Sequence, residues 1–201
     1  MHFNQLHTHG GYNCGEVASA LQKSVRRGDV DEALFWASEL DISGFGEYTW
    51  KRLRIMASED VGIADSTVAL QVKALYDNWS DVHRKAKSGP ADDESLFLVH
   101  AVILLCEAPK SRLCDSACLA MYWGQRPKRE IPDHALDMHT TRGKAMRRGV
   151  AHFYEEGARI ENAAPIPNPY LERGRQAHEH PIKRKAGDNG RVLEPELPLP
   201  A

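Results

Sequence analysis

Apolar residues recur at helical spacing through most of this chain, and no stretch keeps the alternation of a β-strand. The clearest stretch covers residues 96–106, in which His100 is the one polar side chain. Gly28 followed by Asp29 predicts the end of one helix and the N-cap of the next, with Glu32 as a capping-box partner. The sequence therefore predicts an all-α protein, a helical bundle of roughly six to eight helices.

Composition divides the chain into three parts. Residues 1–14 are polar and glycine-rich, which predicts a flexible N-terminal arm. The helical pattern occupies 15–161. From residue 162 onward prolines and charges dominate, and such a segment cannot bury a core. We therefore expect an extended tail over 162–201.

Charge and hydropathy exclude several classes of protein. A formal net charge of −2 argues against general binding to nucleic acid, so any such binding needs a local basic patch. No apolar run approaches the roughly 18–20 residues that span a bilayer, and the N-terminus lacks the apolar core of a signal peptide. We expect a cytoplasmic protein with no membrane contact, in which the four cysteines are reduced thiols.

Nucleotide-binding motifs are missing from these 201 residues. Lys23-Ser24 and Lys110-Ser111 lack the preceding glycines with which a phosphate-binding loop wraps its ligand. The acidic run at 29–32 follows no apolar strand and is better explained as a helix start. The sequence therefore predicts a non-enzymatic chain without catalytic residues or a cofactor.

Glu59 and Asp60 form the most prominent acidic pair. A carboxylate pair can serve acid–base catalysis, but no nucleophile or metal ligand accompanies this one. The favoured interpretation is structural: the pair caps the following turn or binds arginines of a neighbouring helix.

Two basic clusters are candidates for contact with DNA phosphates. Lys23, Arg26 and Arg27 lie on adjacent turns at the end of the first long helix, where they could equally offset the helix dipole. The second cluster has no acidic residue within it and precedes Phe153 and Tyr154. It consists of Arg142, Lys144, Arg147 and Arg148. Basic groups beside aromatic rings suit single-stranded nucleic acid, and the alternative is a solvated helix face with the aromatics in the core.

A metal site is the third candidate. A helix over this segment would bring together Asp133, His134, Asp137 and His139. That cluster is the basis of a less favoured alternative, a metal-dependent hydrolase. The order Asp-His is not the His-Asp pair of the HD-type phosphohydrolases, and HExxH is absent. Cys114 and Cys118 lack a second pair at zinc-site spacing, so we expect no metal.

Three motifs in unbroken order resemble one known family. They are SALQKSVRRGDVDEALFW (19–36), RLRIMASEDVGIAD (52–65) and AVILLCEAPKSRLCDSAC (101–118). This pattern is similar to the C-terminal region of the MgsA/RarA/WRNIP1 family of AAA+ ATPases, over residues 19–161. The chain departs from it after about Ile131.

The resemblance implies a fold and a cellular role. It implies a helical domain like the collar domain of clamp-loader subunits, a homo-oligomer of four subunits, and a role in DNA replication or recombination. The ATPase module of the family normally precedes this region, so ATP-dependent remodelling is not expected of this chain alone. We expect binding to DNA or to a separate AAA+ ATPase or replication protein; the alternative is a pure oligomerisation scaffold.

Overall fold

The structure, a computed structural model, describes residues 3–85 and 92–182, and every regular element within them is helical. The predicted all-α class is confirmed. The chain divides between Arg126 and Pro127 into unit 1 and unit 2. None of the described helices is both long and apolar enough to cross a bilayer.

Unit 1 consists of α-helices joined by short π-helical and 3-10 turns. The helices are α1 (Cys14–Arg27), α2 (Val30–Leu40), α3 (Gly46–Met56), α4 (Val68–Lys85), α5 (Asp92–Glu107) and α6 (Leu113–Cys118). The π turns are Asp41–Phe45, Ala57–Val61 and Leu119–Trp123, and the 3-10 turns are Phe3–Gln5 and Gly62–Ala64.

Local capping sets the boundary between α1 and α2, as the sequence predicts. Asn13 accepts hydrogen bonds from two amides of the first turn of α1, and Gly28 ends this helix with a left-handed φ of 72°. Asp29 caps α2 through the backbone N–H of Glu32. The capping box expected with Glu32 does not form: its carboxylate accepts from Trp36 Nε1 at 2.8 Å, and the Asp29 N–H donates to the Ser24 carbonyl at 3.0 Å.

The core of unit 1 lies where α1, α2, α3 and α5 meet, and α4 packs along α5. Its largest fully buried side chains are Trp50, Leu21, Leu40, Leu53, Met56 and Leu105. Truncating one of the buried leucines to alanine costs about 2–5 kcal/mol. The predicted apolar run at 96–106 falls within α5 and supplies Leu105 to this core.

Residues 3–13 pack against the helices, although a flexible arm was expected. The ring of Phe3 stacks on Tyr48 with centroids 4.1 Å apart. The backbone N–H of Gly10 donates to Glu39 Oε1 at 2.7 Å. Aromatic burial and backbone hydrogen bonds thus hold a segment whose polar composition alone suggested freedom.

Unit 2 has short helices and little buried surface. Its elements are a 3-10 turn (Asp133–Ala135), α7 (Thr141–Ala145), α8 (Val150–His152), a π turn (Phe153–Gly157) and α9 (Leu171–Glu179). Among its described residues only Leu136 and Gly143 are buried. The segment 133–157, part of the range expected to be helical, forms short helices separated by turns, and α9 lies inside the expected extended tail. Residues 183–201 of that tail lie outside the described residues.

Candidate nucleic-acid interface

Arg26, one of the candidate DNA-binding residues, belongs to a partly buried ion-pair cluster. Its Nε donates to Asp60 Oδ1 at 2.5 Å, and its Nη2 donates to Glu59 Oε1 at 3.0 Å. Arg112 Nη1 lies 3.7 Å from an oxygen of each carboxylate. Because Asp60 is fully buried, its charge needs these partners. The expectation that Glu59 and Asp60 bind arginines is confirmed. Arg26 therefore has a structural role as the partner of both carboxylates.

The three motifs that carry the family resemblance meet at this cluster. Arg26 comes from the first motif and Asp60 from the second, while the third supplies Arg112 and also Ser111, whose N–H donates to the Asp60 carbonyl at 2.8 Å. Lys110 closes the end of α5: its Nζ donates to three backbone carbonyls at 2.6–2.9 Å. The specificity of the motifs thus has a structural explanation.

Lys23 and Arg27 remain exposed on α1. Lys23 Nζ donates to Ser19 Oγ, and Arg27 Nη1 donates to the Lys23 carbonyl at 3.2 Å. Within residues 3–85 and 92–182 neither side chain has a carboxylate partner. Both are available to an anionic ligand.

Arg148, the last member of the second cluster, is used inside unit 2. Its Nη2 donates to both carboxylate oxygens of Asp133, at 2.7 and 2.8 Å. Its Nη1 donates to the backbone carbonyls of Asp133 and Leu136, both at 2.8 Å. These hydrogen bonds lower the pKa of Asp133. Arg148 therefore ties the 3-10 turn to the segment after α7.

The other three cations of the second cluster face solvent. Arg142, Lys144 and Arg147 are exposed, and none has an acidic partner among the described residues. Arg142 also lines a groove in unit 2 with four consecutive residues that precede the 3-10 turn Asp133–Ala135. These are Lys128, Arg129, Glu130 and Ile131. Lys128 and Arg129 were not among the residues predicted from the sequence to bind DNA, although they are two adjacent basic residues.

Gly143 allows α7 to pack closely against the backbone of Asp137. A Cβ atom at this position would lie 1.8 Å from the backbone oxygen of Asp137, so only glycine allows the two segments to approach so closely. Thr140 caps α7 by accepting from the Gly143 N–H at 3.0 Å. Arg142 and Lys144 flank this buried glycine in α7, and both side chains are exposed.

Phe153 and Tyr154, the predicted stacking residues, have aromatic partners inside unit 2. Phe153 packs edge-on against His139 with centroids 5.0 Å apart. Tyr154 contacts Phe153 at 5.2 Å and His178 at 6.0 Å, while Arg175 lies over its ring at 5.9 Å. Both rings are only partly exposed. Of the two explanations that the sequence left open, packing within the fold is the one observed.

The proposed metal ligands do not converge. Asp133 pairs with Arg148, and Asp137 accepts from both the backbone N–H and the ring Nδ1 of His139, which lowers the pKa of Asp137. A 3-10 turn replaces the helix that would have aligned these side chains. Within the described residues, no three His, Cys, Asp or Glu side chains are placed to hold a metal ion. The geometry gives the hydrolase alternative no support.

The all-α arrangement and the meeting of the three motifs at one ion-pair cluster agree with the helical C-terminal region of AAA+ ATPases that the motifs resemble. The family model described as MgsA AAA+ ATPase C terminal matches residues 27–186, so the chain belongs to this family. The match continues beyond Glu161, where sequence reasoning ended the resemblance. The segment after Ile131 is therefore included in the matched range.

Curated relatives place this family among recombination proteins. The chain is 32% identical over 142 residues to "Replication-associated recombination protein A" of Escherichia coli K12, which covers 69% of this chain and 30% of the relative. The protein of the same name from Haemophilus influenzae is 30% identical over 183 residues, 90% of this chain and 34% of the relative. That from Bacillus subtilis is 29% identical over 161 residues, 76% and 36%. The chain thus spans about a third of the length of these relatives.

Proposed function

We propose that this chain acts in replication-associated recombination as a DNA-binding, self-assembling protein and not as a catalyst. The carrying observation is the set of exposed cations in unit 2 without acidic partners among the described residues: Arg142, Lys144 and Arg147. Lys128 and Arg129 line a groove together with Arg142, the one member of this set among the lining residues. We call these five residues the basic groove.

The basic groove suits a phosphate backbone better than a single small anion. Its cations lie in α7, directly after α7, and in the non-helical segment before the 3-10 turn Asp133–Ala135. Glu130 is the one acidic residue that lines the groove. A net charge of −2 makes non-specific attraction by the whole protein weak. Binding should therefore depend on this local patch and on salt.

Salt dependence tests the DNA assignment. If the five cations replace counterions on duplex DNA, the logarithm of the affinity should fall with the logarithm of salt with a slope of about −4 to −5. The measurement is fluorescence anisotropy with labelled single-stranded, duplex and forked DNA between about 50 and 200 mM salt. In Arg142→Ala/Lys144→Ala/Arg147→Ala the slope should shrink by about 2 to 3.

A charge-matched variant controls for net charge. Lys51→Ala/Arg84→Ala/Arg173→Ala also removes three exposed cations, none of which lines the basic groove. It should bind DNA as the unchanged protein does. A separate Lys23→Ala/Arg27→Ala variant measures any contribution from α1. Equal losses in the two triple variants would contradict the assignment to unit 2.

A second observation supports self-assembly. Leu96, Val99 and Ile103 lie on one face of α5 and are 66%, 37% and 38% exposed. Next to them, Leu34 and Ile42 help to line a mostly apolar groove between α2 and α5, whose lining also includes Asp41. A helix that is apolar on its outer as well as its inner face is typical of a buried position.

We propose a second copy of the chain as the occupant of this apolar face. From Ser95 to Cys106 α5 carries no Asp, Glu, Lys or Arg, so two copies can meet there without bringing like charges together. A contact through this one face gives a dimer, so the tetramer that the family resemblance implies would need a second interface between copies.

Light scattering after gel filtration tests self-assembly. Leu96→Glu should lower the subunit number, because a charge would be buried in the contact. Leu70→Glu is the matched control, since Leu70 is also apolar and 73% exposed but lies on α4. A monomer at all concentrations, or equal effects of the two substitutions, would refute assembly through α5.

A further inference from the structure

Tyr122 and Trp123 lie near the end of unit 1, on a turn that leaves both rings largely exposed. The π turn Leu119–Trp123 closes with a hydrogen bond from the Gly124 N–H to the Leu119 carbonyl at 3.1 Å. A Cβ atom on Gly124 would lie 2.6 Å from the carbonyl oxygen of Ala120. Glycine therefore lets the chain leave the turn directly after Trp123, in an extended conformation.

The two rings are among the most exposed large apolar side chains of the described residues. Tyr122 is 78% exposed and Trp123 is 82% exposed, and with Cys118 they line a shallow cleft. The other tryptophans all contact aromatic rings: Trp36 meets Tyr12, and Trp50 meets Trp79. Within the described residues Trp123 has no such ring contact. Its indole face is available to a planar ligand.

The sequence next to the rings carries one cation and no carboxylate. From Ser116 to Gln125 the sequence contains no charged residue, and the next residue is Arg126. Adjacent aromatic faces followed by a cation are the elements with which proteins hold single strands, since bases stack on rings and phosphates meet positive charge.

We propose that Tyr122 and Trp123 form a stacking platform for unpaired bases of single-stranded DNA. This inference rests on the proposed DNA-binding function and extends it. The basic groove would contact phosphates of single or double strands, whereas the platform requires unpaired bases. It also assigns the stacking role to residues other than Phe153 and Tyr154, whose rings already contact aromatic neighbours in unit 2.

Two readouts on the full chain test the platform with oligo(dT). Stacking should quench tryptophan fluorescence as the oligonucleotide is added, and anisotropy of a labelled oligo(dT) gives the affinity. Trp123→Ala should weaken oligo(dT) binding about tenfold or more, the effect expected for loss of a stacking aromatic. Trp123→Phe keeps a ring, so affinity should change by less than about threefold while most of the quenching disappears.

Control variants separate the platform from other roles of an exposed ring. Tyr170→Ala removes another exposed aromatic, 68% exposed in unit 2, and should leave oligo(dT) binding unchanged. Duplex binding should be the same in the Trp123 variants as in the unchanged protein. Unchanged oligo(dT) affinity in Trp123→Ala, alongside normal duplex binding, would overturn the platform alone.

Two further outcomes would also reject the platform. If Trp123→Ala lowers the subunit number and leaves oligo(dT) affinity intact, the rings serve contact between copies. If the unchanged protein binds neither duplex nor single strand at low salt, the proposed DNA-binding function fails and the platform fails with it.

Discussion

At the scale of single residues, Arg26 and Arg27 are neighbours in sequence with opposite surroundings. Arg26 neutralises the fully buried Asp60, whereas Arg27 is exposed. Arg26→Ala leaves a buried carboxylate without its nearest partner and should lower the free energy of unfolding by about 3 kcal/mol or more. Arg27→Ala should change it by no more than about 0.5 kcal/mol. Urea unfolding followed by tryptophan fluorescence measures both, and similar values would show that the ion-pair cluster contributes little.

Cysteine reactivity gives a second test at this scale. Burial raises the pKa of Cys106 to about 11 from an ordinary value of 9.0, and burial also raises that of Cys14. The thiolate is the reactive form, so near pH 8 both thiols should react slowly with a disulfide reagent while the exposed Cys118 reacts quickly.

The sign of the linked pH effect follows from the same shift. The unfolded chain loses the Cys106 proton near pH 9 and the folded chain near 11, so stability from this group is intact below pH 9 and decreases as pH rises through that interval. Rapid labelling of all four cysteines in the native state would contradict the described burial.

At the scale of elements, Lys110 determines how α5 ends. Its ammonium donates to the carbonyls of Leu105, Cys106 and Ala108, which have no further helical partner beyond the last turn. Burial lowers the pKa of Lys110. Lys110→Met should destabilise the protein by about 1–3 kcal/mol, because carbonyls in a partly buried site lose their donor.

The matched control is Lys51→Met on α3, where the lysine is exposed. It should change the free energy of unfolding by less than about 0.5 kcal/mol. Thermal unfolding followed by circular dichroism at 222 nm compares the two variants. No difference between them would mean that water satisfies the carbonyls equally well.

Elements with local signals were predictable from the sequence, and those that depend on distant contacts were not. The Gly28–Asp29 boundary was predicted because both caps act within one turn. The role of Arg26 could not be, because its partners lie 33 and 34 residues further along the chain. Only a folded arrangement brings them together.

Unit 2 shows a second limit of sequence reasoning. Helical spacing of polar residues after Asp133 predicted a helix, yet a helix needs a buried apolar face as well, and Leu136 alone is buried there among apolar residues. Conversely, proline content suggested an extended tail, but no proline lies between Pro169 and Pro181, where α9 forms. The sequence also could not separate Arg148, which binds Asp133, from the three exposed cations of the same cluster.

At the scale of the whole molecule, the two units differ greatly in how many side chains they bury. Unit 1 contains a continuous cluster of buried side chains from α1 to α5, whereas the described part of unit 2 buries only Leu136 and Gly143. Hydrophobic burial is the main favourable term in folding. Of the proposed roles, assembly belongs to the helices with the large core and phosphate contact mainly to the unit with the small one, while base stacking is assigned to Tyr122 and Trp123 near the end of unit 1.

Hydrogen exchange should resolve this difference along the chain. Amides in α1, α2 and α5 should exchange only through global unfolding, while those of α7 and α9 should exchange through local opening at a far smaller free-energy cost. Mass spectrometry of the exchanging protein measures both in one sample. If the basic groove binds duplex DNA, adding DNA should slow exchange in α7 and leave α1 unchanged, because bound ligand stabilises the state that holds it. Equal protection of α7 and α1 without DNA would refute the difference in stability, and protection by DNA confined to α1 would move the binding site to Lys23 and Arg27.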